Sequence, residues 1–240
     1  CKGWDLPEAL SFVKASGVDA FEFWNWKRKD IDLLEKEMQR LELTLSAFCT
    51  VGGSLVERES HRDYLAGLRE SVGMAKRLGC TRLITTAGNE LQGVPRERQL
   101  EHVAIGLREA APIVEEAGIT LLLEPLNTTV DHPGHLLSRS SEAFNLINEV
   151  GSKHLKVLYD VYHQQITEGN LIDTMKGHLS DIGHIHAAGC PGRHELQFGE
   201  IQYEGVFQTL RSAGYQDYIG LEYYPSVDRA EGLAAARRLM

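Results

Sequence analysis

The sequence is poor in cysteine and has no closely spaced cysteine pair. Its four cysteines are spread along 240 residues, at Cys1, Cys49, Cys80 and Cys190, without a C-x-x-C motif. A disulfide framework needs a dense set of cysteines, and a thiolate zinc site needs paired ones. We therefore expect reduced thiols in a cytoplasmic protein.

Long apolar runs and an excess of positive charge are also missing. No run approaches the roughly 18 apolar residues of a transmembrane helix, and the N-terminus has no signal-peptide pattern. Asp and Glu number 34 against 25 Lys and Arg, which gives a formal net charge of −9. Because nucleic-acid affinity comes mainly from Lys and Arg at phosphates, the sequence predicts no nucleic acid and no membrane as partner.

A repeated unit of helix, glycine and strand organises the chain. In five segments a helical stretch ends at a glycine and a β-rich run follows; these glycines are Gly17, Gly79, Gly118, Gly151 and Gly214. Glycine past a helix end takes the left-handed conformation that closes the last turn. Strands are predicted near 20–24, 43–50, 81–87, 119–124, 155–160, 182–188 and 218–224, with helices between them.

This alternation favours an α/β fold, a (β/α)₈ TIM barrel that forms one domain over residues 1–240. The chain enters a helix almost at once, with Asp5 as the N-cap and Pro7 in the first turn. A barrel begins with a strand, so we expect the first strand to be upstream of Cys1 or missing from this sequence. The alternative, an open doubly wound sheet, has no G-x-G-x-x-G fingerprint to support it.

Four side chains that can bind a metal lie at or near the ends of successive predicted strands. They are Glu124, Asp160, His186 and Glu222. One acidic residue after a strand is commonly just the start of a polar loop, but four in succession favour a shared site. In a barrel the carboxyl ends of the strands converge. Three carboxylates and one imidazole suit one divalent ion, Mn²⁺, Mg²⁺ or Co²⁺.

Several loop motifs of the C-terminal half resemble the hydroxypyruvate isomerase family. The motifs are EPLNT at 124–128, YDVYHQQITEGNL at 159–171, GHIHAAGCPGRHEL at 183–196 and GLEYYP at 220–225. This family belongs to the xylose-isomerase-like barrels, together with the ketose 3-epimerases. The resemblance implies that Glu124, Asp160, His186 and Glu222 hold the metal. Many hydroxypyruvate isomerases have Gln as the third ligand, whereas His186 matches the epimerases.

The resemblance and the chemistry together predict a metal-dependent isomerase of a small α-hydroxycarbonyl compound. Interconversion of hydroxypyruvate and tartronate semialdehyde through a cis-enediolate needs a Lewis acid and a carboxylate base, for which Glu124 and Glu222 are the candidates. The substrate is then a 2-keto acid, or a sugar if the chain is instead a ketose 3-epimerase or another aldose–ketose isomerase. A phosphodiesterase of the endonuclease IV type and a non-catalytic sugar-binding barrel are further alternatives. A homo-oligomer is left open.

Other residues near these strand ends are candidates for substrate binding. By resemblance to the epimerases, His163 contacts a substrate oxygen; alternatively it is a loop histidine satisfied by backbone. Arg193 is suited to a substrate carboxylate because its guanidinium can bind it with two hydrogen bonds, or it pairs with an acid of its own loop. Glu22 is expected to reach the pocket and orient a ligand histidine or a substrate hydroxyl. Trp24 is expected to wall the site, or simply to pack.

Overall fold

A computed structural model describes residues 4–240. Seven parallel strands form one sheet in chain order. They are β1 (Ala20–Phe23), β2 (Thr44–Cys49), β3 (Arg82–Thr85), β4 (Thr120–Leu123), β5 (Leu155–Asp160), β6 (Ile182–Ala187) and β7 (Ile219–Leu221). All seven predicted strands are present, with ends displaced by a few residues at most. The predicted fold class, a TIM barrel, is confirmed.

Helices connect the strands and cover the outside of the sheet. The α-helices are α1 (Leu6–Ala15), α2 (Ile31–Leu41), α3 (His61–Leu78), α4 (Arg96–Ala117), α5 (Ser140–Val150), α6 (Val161–Thr167), α7 (Leu171–Gly177), α8 (Tyr203–Ser212) and α9 (Arg229–Leu239). Short 3₁₀ turns lie at Trp26–Arg28, Arg58–Ser60 and Leu179–Asp181. These crossovers return the chain to a parallel neighbour each time.

The helix ends follow the local chemistry of the sequence. At the start of α1, the Asp5 carboxylate accepts a hydrogen bond from the Glu8 backbone N–H at 2.9 Å, as an N-cap should. Helices α4 and α5 end at Gly118 and Gly151, whose φ angles are +67° and +75°. Only glycine reaches this left-handed region without a Cβ clash. The predicted pattern, in which a helix ends at a glycine before the next strand, is therefore present at these two helices.

The barrel interior is apolar at its base and polar at its top. Buried Ala47, Ile84, Leu122 and Leu158 from four neighbouring strands form the apolar base. Side chains alternate along a strand, so residues two positions further on point inward as well. For Leu122 and Leu158 those residues are Glu124 and Asp160. The candidate ligands thus lie on an apolar floor at the carboxyl ends of the strands.

Strands β1 and β7 are the two edges of the sheet as far as residues 4–240 are concerned. Side chains close the mouth between them: Glu22 from β1 lies 2.8 Å from His186 of β6, and Trp24 donates to Glu222 at 2.6 Å. The first strand expected upstream of Cys1 is outside the described residues. Among those residues, no helix combines the length and apolar character needed to cross a bilayer.

Candidate active site

The structure brings the four candidate ligands together. Glu124 directly follows β4, Asp160 ends β5, His186 lies in β6 and Glu222 directly follows β7. Each contributes one ligand atom, and these atoms all lie within 4.8 Å of one another. The strand register explains this, because Asp160 pairs with His186, and His186 pairs with Gly220 two residues before Glu222.

Glu22 holds the far side of the His186 ring. One of its oxygens lies 2.8 Å from Nε2 of His186, and the other lies 2.7 Å from Nε2 of His184. The Ser46 hydroxyl donates to the same carboxylate at 2.8 Å. Nδ1 of His186 points the other way and lies 3.0 Å from Oε2 of Glu222. Glu22, which was expected to orient a ligand histidine or a substrate hydroxyl, thus lies in hydrogen-bond contact with His186, and its role stays a prediction.

Burial and ion pairing set the charges of these groups. Burial works to raise the pKa of Glu22, but His186 and His184 hold it well below its usual range. Burial raises the pKa of Glu124 to about 8. For Glu222, the hydrogen bond and charge of His186 outweigh burial and lower the pKa to about 2. The pKa of His186 lies well above its usual value because Glu22 and Glu222 outweigh the effect of burial.

Glu22, His184 and His186 form a second group of side chains that could bind a metal ion. Its nitrogen–oxygen separations of 2.7 and 2.8 Å are ordinary hydrogen-bond lengths. His186 could serve both groups with metal only if its ring were fully deprotonated. We therefore interpret Glu22 as a hydrogen-bond acceptor that orients the two histidines, and the metal candidates as Glu124, Asp160, His186 and Glu222. Three carboxylates and one imidazole nitrogen fit a divalent cation of the Mn²⁺ type.

Arg193 enters the site from the loop after β6. It has a left-handed backbone, with φ of +55°, and is 7% exposed. Its Nη2 donates to Oε2 of Glu222 at 2.8 Å and to Oδ2 of Asp160 at 3.3 Å, and its Nε donates to the Glu222 carbonyl at 3.2 Å. Nη1 makes no hydrogen bond within residues 4–240. The alternative of pairing inside its own loop is not what the structure shows.

The acids of that loop have other partners. Glu195 is fully buried and accepts hydrogen bonds from the Ser226 hydroxyl at 2.6 Å and the Ser226 N–H at 2.8 Å. It therefore ties the loop after β6 to the loop after β7. Glu200 accepts from the Gln165 amide at 3.1 Å. Neither acid competes for Arg193, which leaves the guanidinium to the barrel mouth.

Trp24 and His163 take different places at this mouth. The indole N–H of Trp24 donates to Oε1 of Glu222, yet the side chain remains 61% exposed. Trp24 therefore lies at the edge of the site, with much of its side chain in solvent. His163 is fully buried on α6, with its Nε2 3.6 Å from Oδ2 of Asp160. Both side chains are therefore beside the candidate ligands, and their roles in substrate binding stay predictions.

Sequence reasoning missed a polar network under His163. The Asn127 amide donates to Nδ1 of His163 at 2.6 Å and to Asp131 at 2.7 Å, and the Tyr162 hydroxyl donates to Asp131 at 2.9 Å. Asn127 stands three residues after Glu124 in EPLNT. The EPLNT motif indicated the family resemblance of this loop. It did not indicate the partner of Asn127, because an amide can bond to many groups.

Comparison with known proteins finds relatives along nearly the whole chain. The family described as xylose isomerase-like TIM barrel matches residues 10–240. A Xenopus laevis protein named "Putative hydroxypyruvate isomerase" is 36% identical over 243 residues, which cover 95% of this chain and 88% of that protein. The 2-oxo-tetronate isomerase of Cupriavidus necator is 40% identical over 138 residues, 58% of this chain and 51% of that protein.

A solved structure extends the likeness to three dimensions. It is titled as an AP endonuclease, family 2, from Brucella melitensis and superposes with a TM-score of 0.90 at 27% sequence identity. The match covers 99% of this chain and 94% of that one. Nearly every element described above therefore has a counterpart in that protein.

Proposed function

This chain belongs to the hydroxypyruvate isomerase family of xylose isomerase-like TIM barrels, and on that premise we propose that it is a divalent-metal-dependent isomerase of a small 2-oxo acid. The observation that carries the proposal is the gathering of the four candidate ligands Glu124, Asp160, His186 and Glu222, two of which, Asp160 and Glu222, accept hydrogen bonds from Arg193. Metal ligands and a cation for a substrate carboxylate thus share one barrel mouth. Hydroxypyruvate is the substrate we favour.

The metal would be held by Glu124, Asp160, Glu222 and Nδ1 of His186. A bound divalent cation supplies Lewis-acid stabilisation of negative charge on the carbonyl and hydroxyl oxygens. Glu22 keeps Nδ1 of His186 turned toward the carboxylates by accepting from Nε2. The ring orientation is then set before the cation arrives.

The reaction moves one carbon-bound proton and one oxygen-bound proton. A carboxylate, Glu124 or Glu222, takes a proton from C3 of hydroxypyruvate, and the electron pair forms a C2–C3 double bond while O2 becomes an enediolate oxygen. The same carboxylate returns the proton to C2. O3 releases its hydroxyl proton to solvent and O2 takes one up from solvent, so no proton is gained or lost overall and the product is tartronate semialdehyde. One base suffices, because both carbons of a cis-enediolate present the same face to it.

Arg193 supports a carboxylate-bearing substrate. Its Nη2 is engaged by Glu222 and Asp160, while its Nη1 remains for a ligand. Guanidinium recognises carboxylates with paired hydrogen bonds. The two relatives described above are named for hydroxypyruvate and 2-oxo-tetronate, and both compounds are 2-oxo carboxylates. A charged substrate is therefore consistent with both the site and the family.

A ketose 3-epimerase is the second candidate, favoured by His186. The resemblance gives Gln at this position in many hydroxypyruvate isomerases and His in the epimerases. Inverting one carbon requires a carboxylate on each face of the substrate, and Glu124 and Glu222 arrive on different strands. The two candidates therefore make different demands on this pair.

Solvent-deuterium exchange tests the proposal. Mn²⁺-loaded protein should wash deuterium into hydroxypyruvate more than into neutral ketoses, and a chelator should stop the exchange. Glu124→Gln and Glu222→Gln variants then separate the candidates. Both glutamates are also proposed ligands, so an isomerase with one base should lose most exchange in one variant and keep metal-limited exchange in the other, whereas an epimerase should lose turnover in both. Glu37→Gln is the matched control, since Glu37 is a buried, ion-paired glutamate on α2. Full activity in metal-free protein would disprove the mechanism.

A further inference from the structure

Asn127 has only one possible amide orientation. Its side-chain oxygen accepts hydrogen bonds from the backbone N–H groups of Val130 at 3.0 Å and Asp131 at 3.1 Å. Backbone N–H groups only donate, so the atom that faces them must be the oxygen. The other amide atom lies 2.7 Å from Oδ2 of Asp131, which has only acceptor capacity when ionised. Both ends of the amide are therefore assigned by their partners, and Nδ2 is a donor.

The same Nδ2 fixes the ring of His163. It lies 2.6 Å from Nδ1 of His163, and the backbone N–H of Asn127 points to this nitrogen as well, at 3.3 Å. Two donors converge on Nδ1, so Nδ1 must accept and carry no proton. A neutral imidazole has one N–H, which is then on Nε2.

That Nε2–H has no hydrogen-bond partner within the described residues. His163 is fully buried, and the nearest acidic oxygen to Nε2 is Oδ2 of Asp160 at 3.6 Å, beyond hydrogen-bond length. A buried donor without a partner costs free energy, and native proteins rarely keep one without a use. Within residues 4–240, Nε2 of His135 and Nδ1 of His184 are likewise buried without a partner; what distinguishes His163 is that its free N–H lies beside Asp160, one of the candidate metal ligands.

We propose that Asn127 is a positioning residue: it locks His163, for which the resemblance to the epimerases implies a contact with a substrate oxygen, as the tautomer that presents Nε2–H to that oxygen. This rests on the proposed function for the identity of the oxygen, O2 of the 2-oxo acid. The tautomer itself depends only on the network of Asn127, Asp131 and His163. A hydrogen bond donated to O2 stabilises the negative charge that develops there in the enediolate, while the proton stays on Nε2.

Nitrogen-15 NMR of the histidine rings tests the tautomer directly. The protein is labelled at histidine and loaded with Mg²⁺, which is diamagnetic, and the His163 resonances are those lost in a His163→Gln variant. In the wild type we expect Nδ1 in the unprotonated, pyridine-type range and Nε2 in the protonated, pyrrole-type range. The reverse assignment in wild type overturns the proposal without any variant.

Asn127→Asp tests the lock. It is made in the Asp131→Asn background, because a new carboxylate 2.7 Å from Asp131 would otherwise share a proton with it. The substitution keeps the shape of the side chain but places an acceptor at Nδ1, so Nδ1 should gain a proton and shift to the pyrrole-type range. Asp131→Asn is the control in the same network: the Asn127 amide stays pinned by backbone, and Nδ1 should remain unprotonated. A shift in both variants, or in neither, contradicts the role given to Asn127.

Kinetics of the Mn²⁺-loaded protein give the second readout. In Asn127→Asp, kcat should fall by roughly 100–1,000-fold, as when one hydrogen-bond donor to a developing oxyanion is removed, with KM changed less. A shifted Nδ1 resonance with unchanged kcat would refute the link to catalysis. If the wild type shows the expected tautomer but no exchange activity on any 2-oxo acid, the proposed function fails while the tautomer lock stands.

Discussion

His186 turns its two ring nitrogens to different partners. Nε2 faces Glu22 at 2.8 Å and Nδ1 faces Glu222 at 3.0 Å. A neutral imidazole has one proton, so an Nε2–H donated to Glu22 leaves the Nδ1 lone pair for a cation. Carboxylates in this position orient metal-binding histidines and raise their basicity. We therefore expect Glu22 to act on the candidate metal site through His186.

Glu22→Gln should weaken Mn²⁺ binding by roughly 10–100-fold. The amide can present its NH₂ to Nε2 of His186, which would favour the tautomer with the proton on Nδ1 and block the ligand atom. The dissociation constant is measured by competition with a fluorescent chelator. Glu37→Gln, at a buried glutamate paired with Arg40 on α2, should bind Mn²⁺ like the wild type. Equal affinity in both variants would leave Glu22 without this role.

Arg193→Ala should separate charged from neutral substrates. If Arg193 binds a substrate carboxylate, its loss leaves that anion unpaired at a cost of about 2–5 kcal/mol in kcat/KM on hydroxypyruvate. A neutral ketose makes no such demand and should change little. Because Nη2 also contacts Glu222 and Asp160, Mn²⁺ affinity is measured in parallel. Equal losses on both substrates would mean that Arg193 only braces its loop.

The residues that sequence predicted best are those at strand ends. Strand periodicity and the barrel's geometry were enough to bring Glu124 and Asp160 to one face. The partner of Arg193 could not be predicted, because it depends on a left-handed backbone in a long loop. The same holds for the bond from Trp24 to Glu222, whose residues are 198 positions apart. Side-chain partners across loops depend on tertiary packing, and they cannot be predicted from a single sequence.

At the scale of elements, two glycines show separately how a helical and a left-handed backbone conformation affect stability. Gly73 lies on the exposed face inside α3, and Gly118 ends α4 at a φ of +67°. A Cβ added at either position meets nothing within 4 Å. Any change in stability therefore comes from the backbone and not from packing.

Gly73→Ala should raise the free energy of unfolding by about 0.5–1 kcal/mol, because alanine loses less entropy in a helix. Gly118→Ala should lower it by about 1–2 kcal/mol, because alanine is strained in the left-handed region. Urea denaturation of the two variants beside the wild type measures both. A destabilised Gly73→Ala would mean that packing around α3 differs from that described.

Strand and helix positions were predictable because two local signals agree. Apolar runs mark the strands, and before five of the seven runs a glycine marks the end of the preceding helix. Strand ends were less certain: the last run, predicted at 218–224, is a strand only over Ile219–Leu221. After Leu221 the chain leaves the sheet and contacts the loop after β6. There the Tyr224 N–H donates to the Arg193 carbonyl at 2.7 Å. Contacts made by the fold override the local preference there.

At the scale of the whole molecule, His135 makes stability depend on pH. Burial, followed by the neighbouring His132 and His163, lowers the pKa of His135 to about 4, from a usual value of 6.5. Between these values the unfolded chain binds a proton that the folded one does not. The free energy of unfolding should therefore fall by up to about 3 kcal/mol as the pH falls from 6.5 to 4. Above pH 6.5 this contribution is fully present.

A His135→Gln variant checks the origin of that slope. Urea denaturation from pH 7 to pH 4 should show a shallower loss of stability than in the wild type. His178→Gln, at a partly exposed histidine stacked on Phe144, is measured beside it as the comparison variant. A variant at His135 that keeps the full wild-type slope would assign the effect to other groups.

Metal binding should stabilise the entire barrel, because the candidate ligands come from four consecutive strands, β4 to β7. An ion that binds only the folded state adds about 2.7 kcal/mol at 100 times its Kd. For a chain of this size that corresponds to a rise in Tm of roughly 5–10 °C. The wild type titrated with Mn²⁺ in a thermal melt should show this rise, and a chelator should reverse it. Asp160→Asn removes one anionic ligand and should show a much smaller rise at the same Mn²⁺ concentration, whereas Glu37→Gln should match the wild type. An equal rise in all three proteins would mean that Mn²⁺ stabilises the fold from somewhere other than the barrel mouth.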